Sequence, residues 1–141
     1  MTTMEVVILA IANEISLNKG SGNWDLKGIF NNIHSEKFPV NLKGVPIFAR
    51  VVVYPDEYEK SYTLEFRCVD DDGKVLSKLV YPKVSPKPDL RRPIPHDQIC
   101  GLPDTLIENP GYYQIDAFID GQLKASYPFI IIQSANNTAS V

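Results

Sequence analysis

Residues 61–69 read SYTLEFRCV, with Tyr62, Leu64, Phe66 and Cys68 on every second position. Successive side chains of an extended chain point to opposite faces, so this spacing gathers an apolar row on one face. Glu65 and Arg67 then face water. A helix would scatter the same residues around its circumference. The stretch VPIFARVVVY, residues 45–54, is more apolar, with β-branched Val51, Val52 and Val53, and reads as a buried strand. Eleven prolines spread over 141 residues argue against long helices.

Taken along the chain, the alternation predicts seven to nine short strands separated by turn residues. Residues 4–12 form the first expected strand. A polar loop from Asn18 to Asn23 leads into WDLKGIFNNI, Trp24–Ile33. The loop PDEYEK joins the 45–54 strand to SYTLEFRCV, and KVLSKLVY follows an acidic turn. Residues 82–95, PKVSPKPDLRRPIP, have prolines that cannot donate to a ladder, so a long crossover or edge covering is expected, not a central strand. Two last strands meet at Asp120-Gly121. The expected class is all-β, an antiparallel sandwich of two packed sheets. It forms one domain over residues 1–133, and a flexible polar tail spans 134–141. No internal repeat or second domain is visible.

The densest acidic run is VDDDGKVL, residues 69–76. Placing Gly73 at the sixth position of a calcium-binding EF-hand loop puts Cys68 first and Leu79 twelfth, where a carboxylate is needed at both. The acids Asp56, Glu57 and Glu59 lie at the other end of the intervening strand. About 30 Å of extended chain keeps them from sharing an ion with Asp70 and Asp72. The loop expected beside the triplet is 34–44, which supplies only Glu36. Asp-Gly between apolar runs is instead a hairpin signal, and Asp72-Gly73 and Asp120-Gly121 both fit it. No metal and no cofactor are expected.

Catalytic chemistry has little footing. His34 and His96 lack a neighbouring nucleophile or orienting motif and read as surface histidines. No phosphate-cradling glycine loop or zinc pattern is present. Cys68 shares the apolar row and is expected to behave as a small buried hydrophobe, while reduced thiols suit an intracellular chain. The run VVILAIA, with Ala10 and Ala12, has the look of a signal peptide. Its leader MTTME lacks Lys and Arg and the run is short, so a buried strand is expected in its place. No stretch is long enough for a membrane span.

Charge is uneven. The net charge is −3, yet Lys78 to Arg92 holds five basic residues and one acid, a local +4, leaving −7 elsewhere. A general nucleic-acid binder would be basic across a face, so none is expected as a partner. Lys78, Lys83, Lys87, Arg91 and Arg92 form the strip best suited to a partner, because its prolines lower the entropy lost on docking. The competing reading is a solvated crossover whose charges guard an edge strand. Phe118 faces away from Ile115 and marks a possible covered surface. Tyr112 and Tyr113, after the Pro110-Gly111 turn, sit where sandwich domains place a corner-bonding hydroxyl.

The sequence LKGIFNNI, then FPV, a strand pair closed by VDDDG, and GYYQIDAFIDG before a last apolar strand resembles a family of small bacterial proteins classed as a domain of unknown function. The resemblance spans about residues 4–132 and rests on Gly28-Ile29-Phe30, Phe38-Pro39, Asp72-Gly73 and Gly111-Tyr112-Tyr113. It implies an immunoglobulin-like sandwich and an intracellular, cytoplasmic location, and carries no catalytic residue or ligand with it. The function expected is a non-catalytic protein-interaction or self-assembly module whose partner is protein, itself included. The alternatives are a module for carbohydrate or anionic lipid head groups, using the basic strip or Trp24 and Tyr58, and an enzyme with an unrecognised site.

Overall fold

The computed structural model describes residues 3–57, 59–85 and 92–135. Its strands are β1 (Glu5–Leu17), β2 (Trp24–Ile29), β3 (Asn32–Ser35), β4 (Val40–Asn41), β5 (Pro46–Val53), β6 (Tyr62–Asp70), β7 (Val75–Val84), β8 (Ile94–Gly101), β9 (Leu106–Ile107), β10 (Gly111–Ile119) and β11 (Gln122–Gln133). One sheet has the order β2-β1-β5-β8 and the other β3-β11-β10-β6-β7, with a small β4-β9 pair at one end. The chain passes between these two sheets from β2 to β3, from β3 to β5, from β5 to β6, from β7 to β8 and from β8 to β10. β3 lies parallel to β11, and the other pairings are antiparallel. This is an immunoglobulin-like sandwich. The eleven strands exceed the seven to nine expected, mainly through the two-residue pieces β4 and β9 and through β8.

The core is where the alternation puts it. Ile47, Ala49, Val51 and Val53 of β5 face Leu64, Phe66 and Cys68 of β6 and Ile115, Ala117 and Ile119 of β10, all buried. Burial pushes the Cys68 thiol up to about 12, helped by the Asp116 and Asp70 charges, so it stays protonated and unreactive.

Three local features set the frame. Trp24–Ile33, read as one stretch, is split between the sheets. Gly28 takes φ 64° in β2, and the chain then leaves for β3, with the Phe30 carbonyl accepting a 2.7 Å bond from the Tyr127 hydroxyl. The first strand runs to Leu17 instead of ending near residue 12. Its distal half and β2 form a ribbon with Glu14–Lys27 and Ser16–Asp25 on one face and Ile15–Leu26 and Leu17–Trp24 on the other. The proline-rich stretch divides: β7 continues through Pro82 and Lys83 to Val84, and β8 begins at Ile94. Both are edge strands, where a missing N–H costs no ladder bond.

The two Asp-Gly hairpins differ. Asp120 and Gly121 both have positive φ, the two-residue turn expected there. At the acidic triplet only Gly73 does. The Asp70 carbonyl accepts from Gly73 N–H, and Asp70 Oδ1 accepts from Asp72 N–H at 3.0 Å and Lys74 N–H at 2.9 Å. The triplet is a turn held by its own first carboxylate. Its neighbour is the loop carrying Glu108 and Asn109, not 34–44.

Candidate functional site

Because β6 and β10 bury alternate residues inward, Glu65, Arg67, Gln114, Asp116 and Phe118 stand on the outer face of the five-stranded sheet. Cross-strand register lines them up in rows. Val80, Glu65, Phe118 and Leu123 form one, and Lys78, Arg67, Asp116 and Ser126 the next. Beyond them come Val75, Val69, Gln114 and Pro128, then Tyr112 and Ile130.

The polar groups of this face bind one another. Arg67 donates to Glu65 and lies over the Phe118 ring, 4.1 Å from its centroid. Such stacking is the ordinary preference of a guanidinium beside an aromatic face. Asp116 is only 8% exposed despite its outward position. Its Oδ1 accepts from Gln114 Nε2 at 2.7 Å and from the Ser126 hydroxyl at 2.6 Å. The apolar groups have no such cover: Val75, Val80, Tyr112, Leu123 and Ile132 are all exposed.

Between the β6–β7 turn and the start of β10 this face sinks into a groove of about 310 Å³, lined by Asp70, Asp71, Val75, Tyr112, Asp116 and Pro128 among others. On the far side of Tyr112 a more apolar groove of about 460 Å³ runs along Asn32, His34, Ile130 and Ile132. Tyr112, 66% exposed, stands between the two.

The adjacent Tyr113 does something different. It points inward, stacks on Phe129, and its hydroxyl donates to the Asn109 carbonyl four residues upstream at 2.5 Å. That is the corner bond expected of this pair, but only one of the two tyrosines makes it.

Of the residues expected to meet a partner, Lys78 and Phe118 lie on this face in adjacent rows. Phe118 is half-buried under Arg67. Lys83 is exposed at the far end of β7 with φ 57°, and Arg92 is exposed on the crossover ahead of β8. Lys87 and Arg91 lie outside the described residues, as do Tyr58 and the last six residues of the expected tail. Trp24 is in the β1–β2 ribbon, paired with Leu17.

His96 corrects its reading as a surface residue. It is half-buried on β8, with Nδ1 2.6 Å from the Tyr62 hydroxyl of β6, and burial lowers its pKa against the pull of Asp97. Among the described residues no group of three or more His, Cys, Asp or Glu is placed to hold a metal ion. No helix among them is long and apolar enough to cross a membrane.

Fold and site together define an immunoglobulin-like domain with an open, groove-bearing face on its five-stranded sheet. The chain belongs to the family of unknown function DUF6941, whose model matches residues 7–132. No curated protein matches it. Solved structures similar to it include the following two. One is an alkylpurine DNA glycosylase, AlkC, from Pseudomonas fluorescens bound to DNA containing an abasic site analog (9% identity, TM-score 0.47). The likeness covers 93% of this chain, which spans 31% of the glycosylase. The other is an immunoglobulin-like protein from Pseudomonas aeruginosa (12% identity, TM-score 0.39), with 91% of this chain and 95% of that one covered.

Proposed function

We propose that the domain is a non-catalytic protein-interaction or self-assembly module, and that the outer face of the five-stranded sheet is its contact surface. One observation carries this reading: on that face Glu65, Arg67 and Asp116 are already held by neighbouring side chains while the large apolar ones are left open. Arg67, Glu65 and Phe118 form one fixed cluster, and Gln114, Asp116 and Ser126 another. Val80 and Leu123 flank the first, and Val75 and Tyr112 lie beyond the second. Side chains held in place before contact lose little entropy on docking, and the apolar ones supply the burial. Contiguous exposed apolar surface rimmed by polar groups is the ordinary mark of a protein–protein contact.

The test is light scattering and affinity capture with the wild type, Val80→Glu/Leu123→Glu and Tyr112→Ala. Wild type is expected to self-associate or retain a protein partner, and each variant to lose that association while melting normally. Wild-type protein that stays monomeric and retains no partner removes the reading. So does association that both variants leave unchanged.

A further inference from the structure

The groove beside Tyr112 has a definite chemical preference. Three carboxylates line it, from Asp70, Asp71 and Asp116, against one cation, Arg67, which is already bound to Glu65 and stacked on Phe118. Asp116 lies 8% exposed at the groove, and its side-chain hydrogen bonds among the described residues, from Gln114 and Ser126, both end on Oδ1. A carboxylate this buried is stabilised by a further donor or cation arriving from the groove side. The other groove walls are the open Tyr112 ring, Pro128 and Val75. Exposed aromatic rings beside carboxylates suit extended proline-rich chain bearing Lys or Arg. Proline rings pack on the aromatic, and the cations meet the acids.

The chain itself contains such a segment. Residues 85–93 read SPKPDLRRP. The segment cannot reach the groove of its own molecule. β7 leaves the groove end at Val75 and finishes at Val84, about 30 Å away at 3.3 Å per residue. At that far end Val84 pairs with Tyr62, and Ile94 pairs with Val53, so both ends of the segment are anchored there. A nine-residue loop that goes out and returns extends no more than about 16 Å. A second molecule has no such limit.

We propose that the groove beside Tyr112 receives the proline-rich basic segment 85–93 of a second copy, joining copies head to tail. This rests on the interaction-module reading and names its partner. The contact is heterologous, since a groove meets a segment at the opposite end of the next molecule. It therefore produces rings or open chains, not a two-fold dimer. Being charge-driven, it weakens with salt.

The experiment uses two variants, each keeping one surface: Asp71→Lys/Tyr112→Ala, with an intact segment, and Arg91→Glu/Arg92→Glu, with an intact groove. Each should melt near wild type and remain monomeric at concentrations where wild type assembles. Mixed, they should form a 1:1 dimer and nothing larger, because only one groove and one segment remain. A synthetic peptide of residues 83–94 should bind wild type roughly tenfold or more tightly than the Asp71→Lys/Tyr112→Ala variant, a readout independent of assembly. Assembly that survives in both variants, a mixture that stays monomeric, or a peptide that binds both proteins equally overturns the head-to-tail contact. If wild type nonetheless retains another protein through Val80 and Leu123, the interaction-module reading stands without it.

Discussion

Replacing Tyr62 with Phe removes one oxygen and tests how the two sheets are tied. Tyr62 is 2% exposed on β6, and its hydroxyl lies 2.6 Å from Nδ1 of His96 on β8. Burial pushes the phenol pKa up, so it keeps its proton. Where the phenol donates, neutral His96 accepts at Nδ1 and carries its ring proton on Nε2. Deleting the hydroxyl forfeits the bond and leaves a half-buried acceptor partly unsatisfied, a cost of about 1–2 kcal/mol. At about 2.1 cal/mol/K of unfolding entropy per residue, this chain changes by about 0.3 kcal/mol/K, so Tm should fall by about 3–7 °C at pH 8. The pH dependence has a definite sign. Desolvation lowers the His96 pKa below 6.5 in the fold, so the unfolded chain binds more protons than the native one. The stability contributed by neutral His96 is full above pH 6.5 and is lost as pH falls from there through the folded-state value. Protonation would place an N–H on Nδ1, which the Tyr62 hydroxyl can accept by rotating. The Phe variant offers no such acceptor to the charged ring, so its stability should decline more steeply. Circular-dichroism melts of both proteins from pH 8 to pH 5 read this as a difference curve, in which the carboxylates common to both cancel. Equal Tm values at pH 8, or parallel curves throughout, would refute the assignment.

The remaining expectations follow from single contacts. Tyr113→Phe deletes the corner bond to Asn109 and should cost about 0.5–1.5 kcal/mol by urea denaturation; an unchanged midpoint would make the bond decorative. Phe66→Ala should cost about 3–5 kcal/mol, because Phe66 is 1% exposed between the sheets. Leu123→Ala, at 54% exposure, should stay within about 0.5 kcal/mol, and the reverse order would invert the assignment of faces. Gly28→Ala should cost about 1–2 kcal/mol, since Gly28 holds φ 64°. The new Cβ would also come 2.3 Å from Asn13 Nδ2, but that is the end of a flexible side chain. Adding Asn13→Ala should therefore restore little, and full recovery would show that crowding, not backbone strain, was the cause. Calcium should leave the wild-type melt in place, because Asp70 Oδ1 is already committed to two backbone N–H groups.

The inner face was legible in the sequence because alternation is a local property. Tyr62, Leu64, Phe66 and Cys68 needed only their own neighbours to be sorted from Glu65 and Arg67, and burial follows that sorting. β8 was not legible. IPHDQICG has prolines on and next to its first residues and half-buried polar side chains at His96 and Gln98, so it lacks the apolar period. Its strand character comes from β5, which supplies all its ladder partners. The division of Trp24–Ile33 was hidden for a related reason. Both halves are extended, and only the change of partner from β1 to β11 separates them.

On the open face the sequence pointed to Phe118 and Lys78 alone, and Asp116 shows why the rest was hidden. Alternation correctly turns it away from Ile115 and Ala117, which in a single strand means toward water. In the sheet its cross-strand neighbours are Arg67 on β6 and Ser126 on β11. With Gln114 they leave it almost as buried as the core. Lys78, Arg67, Asp116 and Ser126 form one row from four strands that the sequence separates by up to 59 positions. No window along the chain contains that row, so the strip from Lys78 to Arg92, contiguous in sequence, drew attention first. The fold sends its ends apart: Lys78 joins the open face, whereas Lys83 and Arg92 go to the opposite end. The groove's carboxylates and the described basic residues Lys83 and Arg92 thus lie at opposite ends of the domain. Their opposite charge is a property of the folded arrangement, which the summed charge of −3 conceals.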